Sequence, residues 1–249
     1  MKYLKPLRRI EEERILQAIA NGLSILRSEQ GLGWINAEIE MQDKRKIEDR
    51  ISRALYRCLK QAQNNLKQIG QGLTGTLSWQ VPIQPDPNVS YEKHETKIPD
   101  FSWEIVDDVY EIEKSQIPLN FYFHIECKRL GSPTSPRWKL NQKYVNDGIK
   151  RFIAESHRYG QHTQSGAMIG YLEDMTCDEI HQEVNAEIEA VKQTLLFPSK
   201  IPSLLLSQEG WQDNTASRLS HNLERAFLRT PFTLWHFWVD LRNCYPRTH

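Results

Sequence analysis

Residues 121–130, FYFHIECKRL, restrict this chain more than any other stretch. A run rich in aromatic and β-branched side chains predicts an extended strand. Alternate residues of a strand face opposite sides. Phe121, Phe123, Ile125 and Cys127 then form one wholly apolar face, which needs a core. Tyr122, His124, Glu126 and Lys128 form the other, ending in a carboxylate and an ammonium just before the chain leaves the strand at Gly131. A charge pair taken out of water is costly unless it is well matched. The expected position for this pair is therefore a strand end facing a cleft.

The rest of the chain predicts what surrounds that strand. Residues 7–27 show helical spacing through Leu16, Ile19, Leu23 and Leu26, and the GLG at 31–33 reads as the stop. A second helix is expected over about 42–69, with a stripe of Ile47, Ile51, Leu55, Cys58, Ala62, Leu66 and Ile69 closed by Gly70. GTLSWQVPIQ and DFSWEIVDDVYEI read as strands on either side of a proline-rich loop. Helices are expected over 138–158 and 176–193. SGAMIGYL, residues 165–172, reads as a central strand, and IPSLLLSQ and PFTLWHFWVDL as later strands. The order predicts an α/β fold, a central mixed sheet flanked by helices. A single domain over 1–249 is expected, with an N-terminal helical element over 1–36, a core over 37–175 and its completion over 176–249.

Composition narrows the setting. In 249 residues, 32 Lys and Arg balance 32 Asp and Glu, so any basic surface must be local. The four cysteines, Cys58, Cys127, Cys177 and Cys244, are far apart and show no zinc spacing, which fits reduced thiols. No apolar run approaches the roughly 20 residues of a membrane span, and the charged first residues do not resemble a signal peptide. A soluble cytoplasmic protein is expected.

Upstream of the strand lies IPD, with Asp100 26 residues before Glu126. That length suffices for a strand, a turn carrying Asp107, Asp108, Glu111, Glu113 and Lys114, and an antiparallel return. Asp100, Glu126 and Lys128 would then converge. Two carboxylates offer oxygen ligands to a hard divalent cation such as Mg²⁺, which polarises a phosphate oxygen and acidifies a bound water. The lysine would offset developing negative charge and orient the water.

The pair PD at Pro99–Asp100 and ECK at Glu126–Lys128 resembles the PD-(D/E)XK signature of the restriction-endonuclease-like nuclease superfamily. The resemblance implies a restriction-endonuclease-like core with N-terminal helices. It also implies Mg²⁺-dependent hydrolysis of DNA phosphodiester bonds leaving a 5′-phosphate, with Mn²⁺ able to substitute. Carried over by position, Asp100 and Glu126 are the metal ligands, Cys127 adds its backbone carbonyl, and Lys128 assists the water. The superfamily often draws a further glutamate from the helix before the sheet. Glu48 in KIEDRISRALYRCLKQ is the candidate, with Glu38, Glu40 and Asp49 as rivals.

From Lys128 to Arg158 the chain has eight Lys or Arg and two acids, a local surplus interleaved with Trp138, Tyr144, Phe152 and Tyr159. Basic groups beside a metal site suit a nucleic-acid backbone. Lys143, Lys150 and Arg151 are the candidate phosphate contacts, against the alternative of a solvated helix face. YVNDGIKRF followed by GAMIGYL is also similar to a pattern in nucleases of bacterial anti-phage systems, which implies an effector in restriction or phage defence. A homodimer, or a subunit of a multi-protein defence complex, is the expected assembly, with DNA as partner and no membrane. His124 shares the Glu126 face, and SRLSHNLER offers Arg218, His221 and Arg225 as later candidates. The alternative is a non-catalytic nucleic-acid-binding or scaffolding protein of the same fold.

Overall fold

The computed structural model describes residues 4–41, 44–83, 97–105, 121–154, 156–160, 163–193, 205–212, 216–223, 225 and 231–246, with backbone alone for 4–9, 121, 192–193 and 205–212. Three helices come first: α1 (Leu4–Arg27), α2 (Glu29–Glu40) and α3 (Ile47–Gln68). In α1, Ile15, Ile19, Leu23 and Leu26 recur at helical spacing and are fully buried. In α3, Ile51, Leu55, Cys58 and Leu59 do the same. Each such Leu or Ile contributes about 1.5–3 kcal/mol on burial. Gly70 closes α3 with φ +75°, and the Gln71 and Gly70 amides return to the Leu66 and Lys67 carbonyls at 2.9 and 3.2 Å. Ile69, expected on the buried stripe, is 67% exposed because the helix has already ended.

The sequence reading of GLG as a stop is corrected. The first helix ends at Arg27, and Gly31–Gly33 lie inside α2. Ser28 is the true boundary: its hydroxyl accepts the Gly31 amide at 3.3 Å and caps α2. At Gly31 any Cβ would strike the backbone of Ile25 and Leu26, so the glycine is there to let α2 fold back tightly on α1.

The strands among the described residues are β1 (Leu77–Trp79), β2 (Phe101–Ile105), β3 (Phe121–Leu130), β4 (Ser165–Leu172), β5 (Leu205–Gln212), β6 (Ala216–Leu223) and β7 (Phe232–Asp240). They form one sheet in the order β1-β2-β3-β4-β7-β6-β5. β3, β4 and β7 run parallel at its centre, and the flanking pairs are antiparallel. The sheet is therefore mixed and the fold α/β. β4 is buried along its whole length, as its unbroken apolar run requires of a central parallel strand.

Between β3 and β4, α4 (Leu140–Lys143), a π-helical turn (Tyr144–Ile149) and α5 (Lys150–Ile153) run on from one another. The last helix among the described residues is α6 (Cys177–Gln193). The helices α1, α2 and α3 cover one face of the sheet, packing on Phe123, Ile125, Cys127, Ala167, Ile169 and Tyr171. The 140–153 segment and α6 cover the other, over Leu130, Met168, Leu172, Leu234 and Trp238. Alternate strand residues thus feed two cores, and in β3 the row of Phe123, Ile125 and Cys127 packs in the first, as expected. β6 is a strand the sequence reading did not propose. The hairpin turn expected between β2 and β3 falls on 106–120, outside the described residues.

Candidate active site

The register of β2 on β3 decides where the acids meet. Phe101 pairs with Ile125 and Ser102 with His124. Continuing that antiparallel ladder by one residue sets Asp100 opposite Glu126, on the same side of the sheet. The Asp100 Oδ2 accepts the Cys127 amide at 2.7 Å, occupying a strand donor just beyond the end of β2. Lys128, two residues on and on the same face as Glu126, donates from Nζ to Glu126 Oε1 at 2.7 Å and to the Cys127 carbonyl at 2.7 Å. The three residues of the PD…ECK pattern meet in one place.

Glu48 joins them. It lies in the first turn of α3, where the helix dipole favours an acid. Its Oε1 accepts Lys128 Nζ at 3.0 Å and its Oε2 accepts the Arg129 amide at 3.1 Å. Its rival Glu38 is fully buried elsewhere, paired with Arg45, Arg53 and Arg57. Arg151, expected to contact phosphate, bonds Glu126 Oε1 at 2.7 Å from the helical segment above the sheet. Three carboxylates and two cations therefore share the site.

The expected cleft-facing strand end is present at Lys128, which lines a cleft, but the charges lie deeper than expected. Glu126 is fully buried and Lys128 is 8% exposed, because the helical segment lies close over β3. Gly148, in the π-helical turn, permits this approach: a Cβ there would strike Met168 and come within 3.4 Å of Lys128 Cγ. The desolvation cost is offset by pairing rather than by exposure. Burial, and then the neighbouring Glu126, push the Asp100 carboxyl well above its usual range. Glu126 is raised as well, chiefly by burial and against the pull of Lys128 and Arg151. Burial acts to lower the Lys128 pKa, but Glu126, Glu48 and Asp100 outweigh it and hold the ammonium above its usual range. Lys128 stays charged and acts as a donor.

The donor set was tested against a divalent cation. Among the described residues no three His, Cys, Asp or Glu side chains form a ready metal cage. Mg²⁺ seldom has one, usually keeping several waters and one or two carboxylates. Glu126 Oε2 is buried with no hydrogen-bond partner among the described residues, and Asp100 stands beside it with a raised pKa. An orphaned carboxylate oxygen next to a second acid fits a hard cation. The Cys127 carbonyl points into the same site, where Lys128 holds it, while the Cys127 thiol is buried in the opposite core.

A cleft of about 600 Å³ opens above this floor. Glu48, Lys128, Lys46, Lys143, Lys150, Arg151 and Arg129 all line it, with Asp147 its other acid. Arg129 turns its guanidinium to Glu173 in a double contact of 2.6 Å, so the remaining cations set the field. Sequence reading found Lys143, Lys150 and Arg151 here and set Trp138 among the aromatics interleaved with them, but missed Lys46 and His157, which arrive from separate loops. Burial, then Arg151, Lys97 and Lys150, lower the His157 pKa to about 4, so its imidazole is neutral at neutral pH.

Other candidates lie elsewhere. His124 is buried and accepts the Gly160 amide at Nδ1, 2.9 Å away. His221 and His236 meet at 2.9 Å inside the second core, and Tyr144 and Trp238 extend that buried chain. Arg225 holds the Tyr159 and Gly160 carbonyls, and Arg218 stacks on Trp235. None of His221, Arg218 or Arg225 lines the cleft. No helix among the described residues is long and apolar enough to cross a membrane.

Comparison with models of protein families, with curated proteins and with solved structures finds no match.

Proposed function

We propose that this protein is a metal-dependent nuclease that hydrolyses DNA phosphodiester bonds, with a restriction-endonuclease-like core. One observation carries the reading: Asp100, Glu126 and Lys128 meet at the end of β3 with an orphaned Glu126 oxygen among them, and Lys128 and Glu48 line a cation-rich cleft beside them. Asp100, Glu126, the Cys127 carbonyl and Glu48 are the groups that would hold Mg²⁺ or Mn²⁺. When bound, the ion supplies Lewis-acid polarisation of phosphate and a more acidic water.

The chain's own residues supply the rest. Lys143 and Lys150 draw the phosphate backbone to the cleft. Lys128, its three N–H groups taken by Glu126, Glu48 and the Cys127 carbonyl, holds these groups in place, and its charge offsets charge gathering on the phosphoryl oxygens. Arg151 holds Glu126 in place and pulls against the burial that raises its carboxyl. A bond forms from the water oxygen to phosphorus as the bond to the departing sugar oxygen breaks, and a proton from the water passes through solvent to that oxygen, leaving a 5′-phosphate and a 3′-hydroxyl. The resemblance places this activity in bacterial restriction or phage defence, as a homodimer or within a larger defence complex.

The absence of a ready metal cage among the described residues favours one competing reading, a non-catalytic nucleic-acid-binding protein of this fold. Plasmid and single-stranded DNA are incubated with the protein in Mg²⁺, Mn²⁺ or EDTA, alongside Lys128→Ala and Asp100→Ala. Cutting that needs metal and is lost in both variants is expected. DNA binding without cutting in either metal would replace the nuclease with the binding protein.

A further inference from the structure

Trp138 is the one exposed tryptophan among the residues whose side chains are described, at 42%, and it stands at the rim of the cleft. It is not a loose side chain. Its amide donates to the Ser135 carbonyl at 2.9 Å, and its carbonyl accepts the Thr134 amide at 3.0 Å. The loop is tied at its start as well, where Asn141 accepts the Gly131 amide at 2.9 Å and Asp174 accepts the Ser132 amide at 2.8 Å. Lys143 Nζ sits 3.8 Å from the indole centroid and is itself held by Asp147 at 2.9 Å. A cation over the ring fixes its orientation. The result is a rigid, partly hydrated aromatic plane beside an ammonium, in the cleft that holds Lys128 and Lys150.

Leaving so large an apolar surface in water forfeits the stabilisation of burying it, and pinning the loop by its backbone forfeits the chance to bury it by rearrangement. The arrangement suits a planar, polarisable ligand carrying negative charge nearby. Resting on the nuclease reading of this cleft, we propose that Trp138 is a nucleobase platform, and that the strand entering the site is unpaired at that nucleotide. A base inside a duplex has both faces stacked on its neighbours and cannot lie on an indole. A single strand, a frayed end or a flap can. Base stacking on aromatic side chains tolerates any sequence, so the platform selects for strandedness rather than base identity. Lys143 then sits where the phosphate next to the stacked base would pass.

The test separates base from backbone. A fluorescein-labelled single-stranded oligonucleotide of mixed sequence and an equally long strand of abasic sites carry the same phosphates. Binding of each to the full chain is measured by anisotropy in EDTA, with a blunt duplex as the third probe. The base-bearing strand is expected to bind about ten-fold tighter than the abasic one and tighter than the duplex. Trp138→Ala should remove the difference between base-bearing and abasic strands, and Trp138→Phe should keep most of it. Lys150→Ala should weaken both strands by a similar factor. Equal affinity of the unaltered protein for the two strands, or a preference that survives in Trp138→Ala, overturns the platform. If neither strand binds, the platform falls together with the nucleic-acid reading. Metal-dependent cutting that persists without any base preference removes the platform and leaves the nuclease standing.

Discussion

Replacing Lys128 by methionine keeps the length and apolar stem of the side chain and deletes its charge. Three contacts vanish together: 2.7 Å to Glu126 Oε1, 3.0 Å to Glu48 Oε1 and 2.7 Å to the Cys127 carbonyl. Removing one partner of a buried ion pair costs about 3–5 kcal/mol. The low end applies here, because Arg151 still reaches Glu126 at 2.7 Å. The expected loss is about 3 kcal/mol at pH 8, which for a chain of this size lowers Tm by about 6–12 °C. The deficit also has a sign in pH. Without the ammonium, Glu126 and Asp100, already raised by burial, are raised further in the folded state. The folded variant then binds protons that the unfolded chain releases, so its stability relative to the unaltered protein recovers as pH falls. Urea unfolding of both proteins at pH 8 and pH 5.5 measures this directly. A deficit below about 1 kcal/mol at pH 8, against the 3–5 kcal/mol of a broken buried pair, or one of the same size at both pH values, would refute the idea that Lys128 neutralises a buried acidic cluster.

Three further outcomes follow from the same geometry. Asp100→Asn keeps an acceptor for the Cys127 amide and removes the acid. The folded chain holds the Asp100 proton where the unfolded chain releases it, so this acid destabilises the metal-free fold as pH rises, and the variant should melt higher than the unaltered protein at pH 8. Calorimetric Mg²⁺ titrations should show proton release that disappears in Asp100→Asn, and cleavage should fall by about 10²-fold or more. Leu55→Ala, in the fully buried stripe of α3, should cost about 2–5 kcal/mol in urea unfolding, and a loss under 1 kcal/mol would place that helix outside the core. Glu38→Gln strips the buried anion from Arg45, Arg53 and Arg57. Because Arg53 and Arg57 are 38% and 41% exposed, the expected cost is only about 1–3 kcal/mol, and 1 M salt should recover part of it.

The strand at 121–130 was legible because its signal is local. A period of two over ten residues names both faces whatever lies around them, and β3 matches that reading end to end. The same holds for β4, whose bounds match the apolar run, and for the buried stripe of α3. The meeting of Asp100 with Glu126 followed from an antiparallel return, which the ladder of β2 on β3 supplies. α2 was missed because glycine at 31–33 is a stop signal by propensity, while here close packing on α1 requires glycine within a helix. β6 was missed because its inward row, Ser217, Leu219, His221 and Leu223, mixes polar and apolar residues and shows no clean alternation.

By itself, then, the sequence determined the central strands and the long helices α1 and α3, the two faces of β3 and the identity of the acids and lysine that share one of them. Those depend on backbone periodicity and on chemistry carried within a few residues. Tertiary structure decided how deep the acids lie, that Arg151 faces Glu126, and that Lys46, Trp138 and His157 come from different loops to wall one cleft. Desolvation and charge pairing depend on what packs above a strand, and that is settled by contacts between residues far apart in the chain.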